Sequence, residues 1–263
     1  LRISDSDKTE LESLKGLSNM RNLKVLNFYM SGYPDNFNDL SKCTDLTNID
    51  LWHCTGNKFP SGLDKIPNLH TLKITHDGAA VRKVDFGKGC KKLVNLGINF
   101  PSTSNHSSQG EVMQLKTAED EGKDIKLLLP AIDKCSNLNS LTIRAYGFQE
   151  FNINNNSLSK LKVLDLSHCA SIKSIKFLKK IINLEKLNLT RCSSLKSLDG
   201  IESCKKLTSI SLQFCSALID LDPLLCLSNQ KLSIDKDGSE YKYSGAKEEY
   251  ESYRKTEKDV GYV

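Results

Sequence analysis

The sequence predicts an α/β solenoid: an open horseshoe with about ten parallel strands on its concave face and short helices or turns on its convex face. Three observations predict it. A Leu-x-x-Leu-x-Leu template, with Ile or Phe allowed, begins at Leu23, Leu46, Leu69, Leu93, Leu138, Leu161, Leu184 and Leu207, mostly at intervals of 23 or 24 residues. The nine cysteines keep a beat of their own, with separations of 11, 36, 45, 34, 23, 12, 11 and 11. The 38 leucines stop at Leu232, well before the end of the chain at Val263.

Each element follows from the period. Leu1 and Ile3 fit the end of a copy that precedes the eight, and Leu232 and Ile234 fit the end of a later one. Every template run is a short strand whose alternate side chains point inward. One copy cannot bury that inner row, but stacked copies make a continuous core and a parallel sheet. The one long interval, 45 residues from Leu93 to Leu138, holds an insertion over residues 101–124 rather than a hidden rung, because its would-be inward positions Lys116, Glu119 and Glu121 are charged. Residues 111–124 carry five acids and two lysines, so the insertion is an acidic loop, with a lid over the concave face as one expectation. Ile125 to Cys135 then reads as an enlarged convex helix burying Leu127, Leu128, Leu129 and Ile132, with Pro130 in mid-run opposing it. Residues 1–235 are thus the solenoid, and 236–263 a charged cap or tail with five of the eight tyrosines. Tyr241 and Tyr243 are expected to plug the open end.

The cysteines divide into two columns. Cys54, Cys169, Cys192 and Cys215 sit where the chain leaves the strand, where a thiol fills space and donates weakly to backbone carbonyls. Cys43, Cys90, Cys135, Cys204 and Cys226 sit three residues before a strand position, a column that Met20, Ile66, Leu158 and Ile181 occupy elsewhere and that is therefore apolar core. An odd count without Cys-x-x-Cys is not a disulfide framework. Reduced thiols in a reducing, cytoplasmic compartment are expected.

Four of these repeats read Leu/Ile-x-Leu-x-x-Cys, from Ile49 to Cys54, Leu164 to Cys169, Leu187 to Cys192 and Ile210 to Cys215. On these residues the sequence resembles the leucine-rich repeat family, whose rule allows Asn or Cys at the last position. The repeats resemble the substrate arms of F-box ubiquitin-ligase adaptors. Leu161-Lys-Val-Leu-Asp-Leu-Ser-His-Cys169 through Leu198 also resembles the sensor repeats of plant intracellular immune receptors. The resemblance implies a non-catalytic protein-recognition scaffold, the substrate- or ligand-sensing part of a larger protein or complex. The alternatives are a secreted or host-targeted effector or receptor ectodomain and a structural subunit of a large assembly. Three Asn-x-Ser/Thr sequons, at Asn105, Asn155 and Asn188, favour secretion weakly, since Asn188 would put a glycan on the concave sheet.

Composition bounds the function. A chain of 263 residues with 38% apolar and 26% charged content fits a soluble globular protein rather than a disordered one. No apolar run of about 18 residues is present, so no membrane span is expected. The opening Leu1 to Asp5 has neither a basic segment nor an apolar core, so no secretory signal is expected. The net charge of +5 is modest. Lysine pairs such as Lys91-Lys92, Lys179-Lys180 and Lys205-Lys206 read as a solvated convex face, and Asp50, Asp165 and Glu185 interrupt any phosphate track, so nucleic acid is not an expected partner. No phosphate-binding loop, dinucleotide fingerprint, nucleophile elbow or His-Glu-x-x-His occurs, so neither catalysis nor a cofactor is expected.

The expected partner-binding surface lies at the outward strand positions and just after the last template residue. It comprises Tyr29, Met30, Trp52, His53, His76, Phe100, Arg144, His168, Arg191 and Phe214. Exposed aromatics and arginine on a rigid sheet are the residue types that dominate protein interfaces. Four of the five histidines (His53, His70, His76 and His168) fall on expected strands, and His53 and His76 are expected in one column about 5 Å apart. Two ligands are too few for a closed zinc site, so interface residues are the better reading.

Overall fold

In a computed structural model of the chain, residues 1–4, 13–29, 36–54, 61–76, 86–88, 90–100, 118–151, 158–227, 232–236 and 239–243 are described. Eleven strands form one sheet in strict sequence order: β1 Arg2–Ser4, β2 Val25–Tyr29, β3 Asn48–Cys54, β4 Thr71–His76, β5 Asn95–Phe100, β6 Ser140–Ala145, β7 Val163–Asp165, β8 Lys186–Asn188, β9 Ser209–Ser211, β10 Leu232–Lys236 and β11 Ser239–Tyr243. The first ten run parallel, each beside its sequence neighbour, and the sheet is not closed. β11 turns back antiparallel on β10, pairing Ile234 with Tyr241 and Leu232 with Tyr243, so the sheet continues past residue 235. The side chains of Tyr241 and Tyr243 lie outside the described residues.

The template residues form the core. Leu26 and Phe28, Ile49 and Leu51, Leu72 and Ile74, Leu96 and Ile98, Leu141 and Ile143, Leu164 and Leu166, Leu187 and Leu189, and Ile210 and Leu212 are all buried, rung upon rung. About 23 residues per turn leave the convex side little chain to spend. Single 3₁₀ turns therefore fill it, at Lys15–Asn19, Asn38–Lys42, Leu63–Lys65, Lys176–Lys180, Ile201–Ser203 and Asp222–Leu227. Several bury one aliphatic side chain against the sheet, as Leu40, Leu63, Leu178 and Ile201 do. Where the repeat is longer, one α-helix, α1 (Ala118–Ile132), replaces the 3₁₀ turn. It starts inside the stretch expected to be loop, since acidic residues in a first turn favour a helix. It buries Leu128, Leu129, Ala131 and Ile132, whereas Leu127, expected in the core, is exposed. Residues 101–117 lie outside the described ones.

Among the described side chains the cysteine columns hold, with two exceptions; the Cys54 side chain lies outside them. Cys169 Sγ donates to Ile143 O at 3.2 Å, Cys192 Sγ to Leu166 O at 3.3 Å and Cys215 Sγ to Leu189 O at 3.1 Å, each one rung back. Cys43 Sγ reaches Leu17 O in the same way at 3.3 Å. Burial pushes the Cys43, Cys192 and Cys204 thiols up, Cys204 to about 12, so they stay protonated donors. The eight cysteines whose side chains are described are all free thiols. Cys226, however, is exposed, because the next strand residue, Leu232, follows it by six positions rather than three. Met20, at the head of the array, is also exposed.

A second ladder ties the rungs where the chain enters each strand. The Asn68, Asn137 and Asn183 amides donate to the carbonyls of Thr44, Lys91 and Ser159 in the rung before. Lys92, Lys160 and Lys206 of the rung after donate to the same three amides' oxygens. Lysines read as merely solvated therefore also bridge neighbouring turns.

Candidate recognition surface

The register of the sheet sets the outward side chains in rows. Asn27, Asp50, Lys73, Gly97, Thr142, Asp165, Asn188, Ser211 and Asp235 pair in succession along the strands. Beside them runs a second row, in which Ser4, Tyr29 and Trp52 pair at one end, and Thr75, Asn99 and Arg144 further along.

At the N-terminal end the rows hold a stack. The Tyr29 and Trp52 rings lie 6.1 Å apart with planes inclined 19°, and the Arg2 guanidinium sits 4.7 Å above the Tyr29 ring. Trp52 is 44% exposed despite this stacking. Asp50 lies in the adjoining outward row, between Asn27 and Lys73, with Oδ1 buried and without a hydrogen-bond partner. Burial raises its pKa, against the opposing pull of Lys73 and a hydrogen bond from Trp52. Arg2 was not among the expected surface residues, because β1 is only the remnant of a repeat. Met30 and the His53 side chain lie outside the described residues.

The middle of the surface departs from expectation. His76 is 1% exposed and Phe100 is 3% exposed, and their rings meet edge to face at 5.9 Å. Both are core residues, not partner-binding ones. The cause is alternation: β4 and β5 run on for two residues beyond Ile74 and Ile98, which turns the second one inward. Ala145 on β6 is buried for the same reason. Extending the period-two pattern through Leu72, Ile74 and His76 reveals this from sequence. The expected His53–His76 column is absent as well, because the β3–β4 register shifts after Leu51 and pairs His76 with Cys54.

At the C-terminal end the same column turns outward. β7, β8 and β9 are only three residues long. Beyond them the chain turns, with the Ser167 N–H donating to Asp165 Oδ1 at 2.9 Å and the Thr190 N–H to Asn188 Oδ1 at 3.0 Å. The next residue takes a left-handed conformation in all three rungs: His168 at φ 65°, Arg191 at φ 63° and Phe214 at φ 57°. That reversal sends the side chain out and the following cysteine in. His168 therefore stands on a turn rather than on a strand, and Phe214 is 56% exposed. The Arg191 guanidinium lies 5.2 Å above the Phe214 ring, and Arg144 pairs with Asp165 at 2.8 Å. Burial lowers the His168 pKa, as do the nearby Arg191 and Arg144 charges, against Asp165. The expected surface thus splits into an aromatic stack at one end and a cationic–aromatic row at the other.

Among the described residues no group of three or more His, Cys, Asp or Glu side chains could hold a metal ion, and no helix is long and apolar enough to cross a membrane. The model of the R13L1/DRL21 leucine-rich repeats matches residues 88–192, less than half the chain. The ten-strand parallel sheet with its buried leucine rows supplies the rest of the evidence. The chain is a leucine-rich repeat protein.

Two solved structures with TM-scores above 0.5 agree on the fold. The leucine-rich repeat domain of the type III effector XCV3220 (XopL) is 18% identical with a TM-score of 0.52, over 83% of this chain and 69% of that one. A chain of the mouse RP105/MD-1 complex is 20% identical with a TM-score of 0.55, over 89% of this chain but 37% of that one. An internalin (inlF) from Listeria monocytogenes is 17% identical with a TM-score of 0.45, over 86% of this chain and 70% of that one. No curated protein sequence matches this leucine-rich repeat chain.

Proposed function

We propose that this leucine-rich repeat chain is a non-catalytic recognition scaffold that binds another protein on its concave face, as the sensing part of a larger protein or complex. The observation that carries the reading is the Arg2–Tyr29–Trp52 stack. Backbone pairing holds it in register, yet Trp52 is left 44% exposed. Rigid aromatics of this kind offer contact area at little entropic cost and anchor protein interfaces. A solved structure of similar fold, RP105 with MD-1, is itself a protein–protein complex, which supports the reading. A reducing compartment is part of the proposal, supported by the buried thiols that donate to backbone carbonyls.

The partner is identified by proximity labelling in the source cell, and its affinity is then compared between the native chain and a Tyr29→Ala/Trp52→Ala variant. The variant is expected to keep its melting temperature and to lose about 2 kcal/mol or more of binding free energy. Unchanged affinity overturns the placement of the interface. A thiol count under denaturing, non-reducing conditions is expected to give nine free thiols, and disulfides would overturn the reducing compartment.

A further inference from the structure

We propose that the row of His168, Arg191 and Phe214, with Arg144 beside it, seats an acidic segment of the protein partner, its carboxylates against the Arg191 and Arg144 guanidiniums and the His168 ring and an apolar side chain against Phe214. The inference deepens the scaffold reading above and rests on it.

Conformation provides the first support. A residue at φ near +60° is placed at least cost when it is asparagine or glycine, and a bulky side chain there is an outlier. Here three successive rungs adopt that conformation, and beside histidine, which tolerates it, they carry arginine and phenylalanine, which do not favour it. Packing does not ask for these side chains, because all three are exposed and the core position of each turn is filled by Cys169, Cys192 or Cys215. Strain repeated at exposed positions points to a role for the side chains themselves.

Charge provides the second. The neighbouring carboxylates are already engaged: Asp165 with Arg144 and the Ser167 N–H, Asp235 with the Gln213 amide at 2.8 Å. Among the described residues, none accepts a hydrogen bond from the Arg191 guanidinium, which is held only over Phe214. A carboxylate arriving at this row finds preoriented donors, and charge-assisted pairs of this kind are the strong ones. The adjoining rungs place the three side chains within about 10 Å, given a strand spacing of about 4.8 Å. The site suits a short acidic and apolar segment. A nucleic-acid backbone fits less well, because Asp50, Asp165 and Asp235 line the neighbouring row.

The test uses the full chain and a labelled peptide of alternating glutamate and phenylalanine, with glutamine and lysine counterparts and a single-stranded oligonucleotide as comparisons. The glutamate peptide is expected to bind at least about tenfold more tightly than the other three, to weaken with added salt, and to shift the resonances of His168, Arg191 and Phe214. The triple variant His168→Asn/Arg191→Asn/Phe214→Asn is expected to lose about tenfold or more in affinity while its melting temperature rises by about 2 °C or more, since asparagine relieves the left-handed strain. A purely structural role predicts the reverse, a lower melting temperature with affinity retained, and that overturns the proposal. So do equal binding of the glutamine peptide, tighter binding of the oligonucleotide, and failure of the glutamate peptide to bind. If the proposal fails while the Tyr29→Ala/Trp52→Ala variant still loses the native partner, the scaffold reading stands. If neither effect is seen, both fall.

Discussion

Replacing Gly200 by alanine tests how tightly one rung locks on the next. Gly200 has φ +108° at the head of the Ile201–Ser203 turn. A Cβ added there would lie 2.8 Å from Ile175 O and 2.9 Å from Lys176 Cα, both backbone atoms of the preceding rung. Two costs add. An L side chain in this conformation costs about 1–2 kcal/mol, and forcing the two backbones apart costs about 1–3 kcal/mol more. The reduced freedom of the unfolded chain returns about 0.4–1 kcal/mol. The expected net loss is about 2–4 kcal/mol by urea unfolding. Because each turn of a solenoid touches only its neighbours, hydrogen exchange should accelerate first at Leu178 and Ile201. Gly97→Ala is the control: its Cβ would meet only Lys73 Cγ at 3.6 Å, an ordinary contact, in strand backbone that alanine adopts freely, so only the unfolded-chain term remains and stability should rise by about 0.4–1 kcal/mol. A loss below about 1 kcal/mol at Gly200, or equal losses at both positions, would refute the reasoning.

Two further outcomes follow from the described side chains. His168 binds a proton less readily folded than unfolded, so its contribution is complete above its unfolded pKa of 6.5 and is lost as pH falls from there toward the lower folded value. The native chain should therefore lose stability with acidification below that point more steeply than His168→Asn, as measured by melting at stepped pH. Native-state alkylation should modify Cys226 fastest among the eight described cysteines, because the other seven are buried; mass spectrometry finding Cys192 or Cys204 labelled first would contradict the thiol columns.

The C-terminal turns show what a column read from sequence cannot say. His76, Phe100, His168, Arg191 and Phe214 occupy one position of the repeat, two residues after the last template residue, and share one expectation of exposure. The first two are core and the last three are surface. The cysteines that follow His168, Arg191 and Phe214 carry part of the signal, since an inward thiol forces the preceding residue out. His53 precedes Cys54 in the same way, yet there the strand runs on through Cys54 and slips register against β4. Leu127 departs from expectation for a related reason: a run of three leucines does not say which of them a helix turns toward the sheet.

The sequence by itself determined the period, the inward rows, the parallel order of the rungs and the structural role of most cysteines. All of these rest on a local pattern repeated until stacking becomes the way to bury it. Only the tertiary structure decided which end of the concave face carries an aromatic stack and which a cationic row. It also decided where the strands stop short and reverse through a left-handed residue. Those choices depend on whether the backbone stays extended beside its neighbour, as β4 and β5 do through Thr75 and Asn99, or reverses through a left-handed residue, as it does at His168, Arg191 and Phe214, where the His168 and Arg191 N–H groups still bond to Thr190 O and Gln213 O of the next rung. That is a balance between neighbouring turns, and no single repeat contains it.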